Sequence, residues 1–175
     1  TLISRPGAVP QGRVVDTLLS HYDLMPTMLD YLGLAETHDE GLPGHSFAPL
    51  LRGEALDERN HVCVLDEYGP TRMIRTAEWK YIHRYPFGPH ELYDLASDPD
   101  EKKNLVDNPD WSEVRAELLT QLETWYVAYA DPMRDGTKEA VMGRGQLNVV
   151  GPAAMGTQRF ANDVVYHADE IANNG

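Results

Sequence analysis

The sequence predicts an α+β fold: a small antiparallel four-stranded sheet with a C-terminal helix packed on one face, preceded by a strand and a helix that look like the end of a larger sheet layer. Three observations carry this reading. Between residues 61 and 95, four short runs of alternating residues are separated by turn-forming residues. Residues 111–129 repeat apolar side chains at three- and four-residue spacing. The chain also opens on a short extended piece with no strand near it in sequence to pair with.

Residues 1–4 run straight into Arg5-Pro6-Gly7, a loop signal, so Leu2-Ile3 reads as the last strand of a sheet whose other strands lie elsewhere, and the protein reads as truncated. The segment VVDTLLSHYDLMPTMLDYLGL is extended through Leu19 and becomes helical near Asp23. Pro26 sits in the first turn, where its missing N–H costs little, and Gly33 stops the helix. This helix is expected to bury Leu24, Met28, Leu29 and Leu32. Residues 35–59 form a Gly-, Pro- and acid-rich connector broken by one helical turn at Phe47-Ala48-Pro49-Leu50-Leu51.

The four strands are expected at 61–67, 72–76, 80–83 and 91–95. Their separators, Gly69-Pro70, Ala77-Glu78 and Pro86-Phe87-Gly88-Pro89, have hairpin lengths, which makes an antiparallel meander. The covering helix spans 111–129 and turns Val114, Leu118, Leu122, Trp125 and Tyr129 to the sheet, with Asp110 or Ser112 accepting its first N–H groups. From Asp131 the pattern decays, and the tail 131–175 is expected to order only against something larger. The domain boundaries that follow are 1–59, 60–130 and 131–175; no internal repeat is visible.

Composition bounds the function. The chain has 175 residues, 42% hydrophobic, with a formal charge of −13. An acidic chain repels phosphate backbones and anionic bilayers, so neither nucleic acid nor membrane is an expected partner. No run of about 18 apolar residues is present, and TLISRPGAVPQG lacks the charged-then-apolar pattern of a secretory signal. Cys63 is the single cysteine, which excludes intramolecular disulfides and multi-cysteine metal sites and leaves the compartment open, with a lean to the cytoplasm.

Four segments occur in a specific order: SRPGAVPQGRVVDTLLSHYDLMPTMLDYLGL, GLPGHSFAPLLRGE, RMIRTAEWKYIHR and ELYDLASDPDEKKNL. In order and spacing they resemble the C-terminal part of sulfatases of the alkaline phosphatase superfamily, over roughly Leu2 to Tyr129. The resemblance implies a two-part enzyme: a large α/β domain carrying the chemistry, and the small sheet with its helix. It implies hydrolysis of sulfate esters or sulfamates by a formylglycine made in a Cys/Ser-x-Pro-x-Arg motif, beside calcium or another divalent metal. The implied partners are the N-terminal catalytic domain, a sulfated small molecule or glycan as substrate, and further copies of the chain. A phosphoesterase or phosphonate hydrolase of the same superfamily is the alternative, and a non-catalytic interaction module is a second.

The sequence departs from that family at the chemistry. Cys63 stands in His61-Val62-Cys63-Val64-Leu65, without the Pro and Arg of the nucleophile motif, and no Ser-x-Pro-x-Arg occurs. No catalytic and no metal-ligating residue is therefore assigned, and the chain alone is expected to be inactive.

The candidate substrate-binding residues are Glu67 and Tyr68, which leave the first strand on a loop that borders the pocket mouth in similar enzymes, and His21. Each has a plainer reading: a strand end for the first two, and for His21 packing at the start of a helix that Asp23 caps. The ligand-rich set His38, Asp39, Glu40 and His45 reads as a solvated loop. Arg72, Arg75, Lys80, His83 and Arg84 suggest an anion patch, but alternation splits them between faces, and exposed cations on strands also deter edge pairing. Residues 113–123 read as a solvated helix face, and Trp125 to Tyr129 as core.

Overall fold

A computed structural model of the protein describes residues 2–35, 41–57, 59–65, 71–85 and 88–131. The predicted tail from 132 onward lies outside the described residues. Helix α1 (Leu24–Tyr31) follows a 3-10 turn at His21–Asp23, and a short α2 (Ala48–Leu51) follows the connector. Then come β1 (Val62–Leu65), β2 (Thr71–Arg75), β3 (Trp79–Arg84) and β4 (Glu91–Asp94), a 3-10 turn at Pro109–Trp111, and α3 (Ser112–Tyr129). The sheet is the expected meander, ordered β1-β2-β3-β4 with every pair antiparallel.

Its register explains the core. Cys63 faces Ile74, Ile74 faces Tyr81, and Tyr81 faces Leu92, so one row of side chains crosses all four strands on one face. All four are buried, and Leu118 and Leu122 of α3 close over them. The two helix residues are one turn apart and so point the same way. The β2–β3 hairpin is fastened by Thr76, whose hydroxyl accepts the N–H groups of Glu78 at 3.2 Å and Trp79 at 2.9 Å. Beyond β3, the outer edge of β4 is covered rather than left open: Leu92 donates its N–H to the Asn104 side chain at 2.9 Å, and Leu105 donates to the Leu92 carbonyl at 2.8 Å. The Trp79 and Trp111 rings, 4.9 Å apart, hold the start of α3 against the sheet.

Four expectations need correction. The orphan donors before α3 are served by Asn108, which accepts the Asp110 N–H at 3.0 Å, because a 3-10 turn beginning with Pro109 precedes the helix; neither Asp110 nor Ser112 is the cap. Tyr129 is 40% exposed and lines a cleft beside the start of β1 instead of joining the core under α3.

Helix α1 does not bury the stripe read from its sequence: Leu24, Met28 and Leu32 are 56%, 45% and 63% exposed, and the buried helix residues are Pro26 and Thr27. Among the regular elements α1 packs mainly on its own 3-10 turn and on α2, and the start of α2 meets it on the Thr27 side.

The cations of β2 and β3 are not an exposed set. Arg72 is 6% exposed, its guanidinium lying 3.3 Å from the Tyr126 ring centre and 4.3 Å from that of Tyr85, with Glu123 of the presumed solvated helix face at 3.5 Å. Lys80 pairs with Glu101 at 2.5 Å and Arg84 with Glu91 at 2.6 Å. Residues 2–20 carry no regular element, and Leu2 is 95% exposed.

Candidate functional site

The segments YDLMPT and PGHSF and the residue Arg59 converge on one buried carboxylate. Ser20 and Asp23 form a capping box around the 3-10 turn: the Ser20 hydroxyl accepts the Tyr22 N–H at 3.3 Å, and Asp23 Oδ2 accepts the Ser20 N–H at 2.7 Å. Asp23 Oδ1 also accepts the His45 N–H at 2.9 Å. Arg59 then closes the group, its two terminal nitrogens reaching Oδ2 at 2.9 Å and Oδ1 at 2.7 Å.

Asp23 is fully buried, and a buried carboxylate persists only when paired and hydrogen-bonded throughout, as it is here. The Thr27 hydroxyl repeats the pattern one turn on, donating to the Asp23 carbonyl at 2.6 Å and accepting the Phe47 N–H at 2.9 Å. So close is the approach of the 43–47 loop that a Cβ on Gly44 would collide with the Tyr22 carbonyl.

Two sequence expectations change accordingly. Asp23 makes no side-chain bond at the start of α1; it is the third residue of the box and a bridge to the connector. His45 is no mere solvated-loop residue, since its backbone binds Asp23 and its Nδ1 lies 3.1 Å from Arg59.

Two clefts open beside this cluster, and His45, Arg59 and Tyr129 line both. The larger, about 630 Å³, is bounded by Leu18, Leu19, Leu42 and Leu56 and by Asp57. The smaller, about 270 Å³, lies between the 3-10 turn, the start of β1 and the last turns of α3. The Tyr22, Trp125 and Tyr129 rings stand in sequence there, 5.7 Å and 5.4 Å between neighbours. His61 faces them; its burial, with Arg59 nearby, holds its pKa below the ordinary imidazole value.

Of the candidate residues, Glu67 and Tyr68 lie outside the described residues, as do His38, Asp39 and Glu40. His21 is exposed, its ring 4.2 Å from that of Tyr22, and it is not among the residues that line the two clefts. Arg59, Trp125 and Tyr129 were not singled out as site residues. Only the aromatic spacing at the end of α3 signalled any of them, and that pattern equally describes a core.

A second polar group lies on the α3 side of the sheet, beside Tyr81 of the core row. The His83 and His90 rings stack at 4.1 Å, and Tyr81 Oη lies 2.7 Å from His83 Nδ1. Burial, then the neighbouring His90 and Arg72, push His83 down to about 4.

Cys63 stands inside β1, buried, its thiol pushed up to about 12 by desolvation, and does not fit a nucleophile precursor. Among the described residues no group of three or more His, Cys, Asp or Glu is placed to hold a metal ion. Nor is any described helix long and apolar enough to cross a membrane.

The profile of the family described as "N-sulphoglucosamine sulphohydrolase, C-terminal" matches residues 1–127. The chain is 34% identical over 143 residues to a Delta 4,5-hexuronate-2-O-sulfatase of Bacteroides thetaiotaomicron, covering 76% of this chain and 29% of that protein. A solved 2-O GAG sulfatase superposes with a TM-score of 0.52 at 35% identity, over 64% of this chain and 25% of its own. The phosphonate monoester hydrolase of Agrobacterium radiobacter superposes with a TM-score of 0.58 at 26% identity, over 74% of this chain and 29% of its own. The chain thus spans under a third of the length of these relatives, and it belongs to the C-terminal domain family of the N-sulphoglucosamine sulphohydrolase-type sulfatases.

Proposed function

We propose that this chain is the C-terminal portion of a hydrolase that cleaves sulfate esters, with carbohydrate sulfates as the substrate class. The observation that carries it is the family match over residues 1–127, together with the 34% identity to a hexuronate sulfatase. The described residues offer neither a fitting nucleophile nor a metal-binding group, so this reading puts the chemistry in sequence outside the chain: a formylglycine and calcium or another divalent metal.

The segment 1–59 then belongs to the end of the catalytic domain, 60–130 is the appended sheet and helix, and 131–175 is a separate C-terminal segment. Glu67 and Tyr68, following β1, and His21 are the residues we assign to substrate contact. The catalytic part is the chain's first partner, and self-association is expected when it is missing. Phosphonate ester hydrolysis is the second reading, supported by the 26% identity to the Agrobacterium enzyme over 74% of this chain.

The test compares the 175-residue chain with the same chain preceded by the sequence its gene encodes upstream, on an aryl sulfate and an aryl phosphonate with calcium. The chain alone should give background rates, because losing nucleophile and metal forfeits an enhancement of about a million-fold or more. The longer protein should hydrolyse the sulfate. Turnover by the chain alone would overturn the reading, and a preference of the longer protein for the phosphonate would establish the second one.

A further inference from the structure

The smaller cleft has the make-up of a ligand site. Three rings, Tyr22, Trp125 and Tyr129, form a stepped apolar wall, and Arg59, Asn60 and His61 face it. At about 270 Å³ it falls just below the usual range of ligand pockets, about 300–1,000 Å³, and it shares His45, Arg59 and Tyr129 with the larger cleft. Such pockets favour junctions between structural units, and this one joins the α1 turn to the sheet and α3.

The charge in its lining is already matched. The Arg59 guanidinium is committed to Asp23 through two short contacts, and His61 is held toward its neutral form by burial. The sequence as a whole carries −13. A sulfate group therefore finds no unmatched cation in this wall and a repulsive field around it. What the wall does suit is a ring with an apolar face and polar edges, since aromatic side chains combine large contact area with a polar tip.

We propose that this cleft binds an uncharged pyranose unit of a glycan, its C–H face on Trp125 and Tyr129 and its hydroxyls toward Asn60 and His61. The site would hold an unsulfated unit of the substrate chain. This rests on the carbohydrate-sulfate reading above.

The test titrates the 175-residue chain with cellobiose and with its 6-O-sulfate ester, following the assigned Trp125 indole N–H by NMR. Cellobiose should give a saturable shift with a dissociation constant in the millimolar range, and the sulfated sugar should bind more weakly. Tyr129→Ala, at the half-exposed end of α3, and Asn60→Ala should each weaken binding about tenfold, close to 1.4 kcal/mol, with the melting temperature unchanged. No saturable shift, a shift that survives both variants, or equal or tighter binding of the sulfated sugar would overturn the proposal. Because the assay needs no turnover, its failure leaves the sulfatase reading standing, and failure of hydrolysis by the longer protein leaves the binding result standing.

Discussion

The Arg59 guanidinium meets the fully buried Asp23 carboxylate through two contacts of 2.9 Å and 2.7 Å, tying the residue before α1 to the segment that leads into β1. Removing one member of a buried pair leaves the other uncompensated, which typically costs about 3–5 kcal/mol. Asp23→Ala should therefore destabilise the protein by that amount in urea denaturation. A loss below about 1 kcal/mol would mean that the pair is solvated in solution and does not join the two parts of the chain.

Little of this junction was legible in the sequence. Asp23 stood in a position suited to a helix cap, and the local rules had no means of pairing it with Arg59, which is 36 residues away. The sheet was more readable, because alternation and hairpin lengths are local: Ala77-Glu78 forms the β2–β3 turn as expected. Helix α1 misled for a different reason. An apolar stripe tells which face seeks burial, but not whether the described residues contain anything to bury it against. In β2, Arg72 read as a surface cation, yet its alternation phase put it where Tyr85 and Tyr126 cover it.

The core makes a sharper prediction. Leu118 is 4% exposed over the Cys63–Ile74–Tyr81–Leu92 row, whereas Val127 on the same helix is 81% exposed. Leu118→Ala should cost about 2–5 kcal/mol, the range for truncating a buried leucine. Val127→Ala should stay within about 0.5 kcal/mol. Equal effects at the two sites, by chemical denaturation, would mean that α3 packs on the sheet through a different face.

The stacked histidines set a pH window. Burial lowers both His83, to about 4, and His90 from the ordinary value of 6.5. Between those values the unfolded chain binds more protons than the folded one, so stability should be complete above about pH 6.5 and fall as the pH drops toward 4. Arg72, Arg84 and Arg115 add to the effect by opposing imidazolium formation, while Asp107 works against it at His90. His83→Gln should flatten the urea midpoint over this window. An unchanged slope would place the acid sensitivity elsewhere. The hydrogen-bonded carboxylates Asp30 and Asp94 are the other groups to check, and both are depressed below the ordinary carboxylate value, so they act at lower pH.

Helix α1 turns Leu24, Met25, Met28 and Leu32 outward, 56%, 49%, 45% and 63% exposed, and Leu34 follows at 50%. A contiguous apolar face of this kind on a soluble chain marks an interaction surface, and it drives self-association when its partner is missing. The opposite side of the helix, through Pro26 and Thr27, holds the internal packing, so the outer face can be changed without touching the fold. Leu24→Lys with Met28→Lys should shift stability by no more than about 0.5 kcal/mol, the scale for exposed sites. The same pair should convert an associating chain into a monomer in sedimentation velocity, because lysines on the face add repulsion and remove the apolar contact. A large loss of stability in the double variant would show that these side chains are packed within the chain itself. A monomeric parent chain, with amide exchange at 24–32 as slow as in β2 and β3, would show that α1 needs no partner beyond the residues already around it.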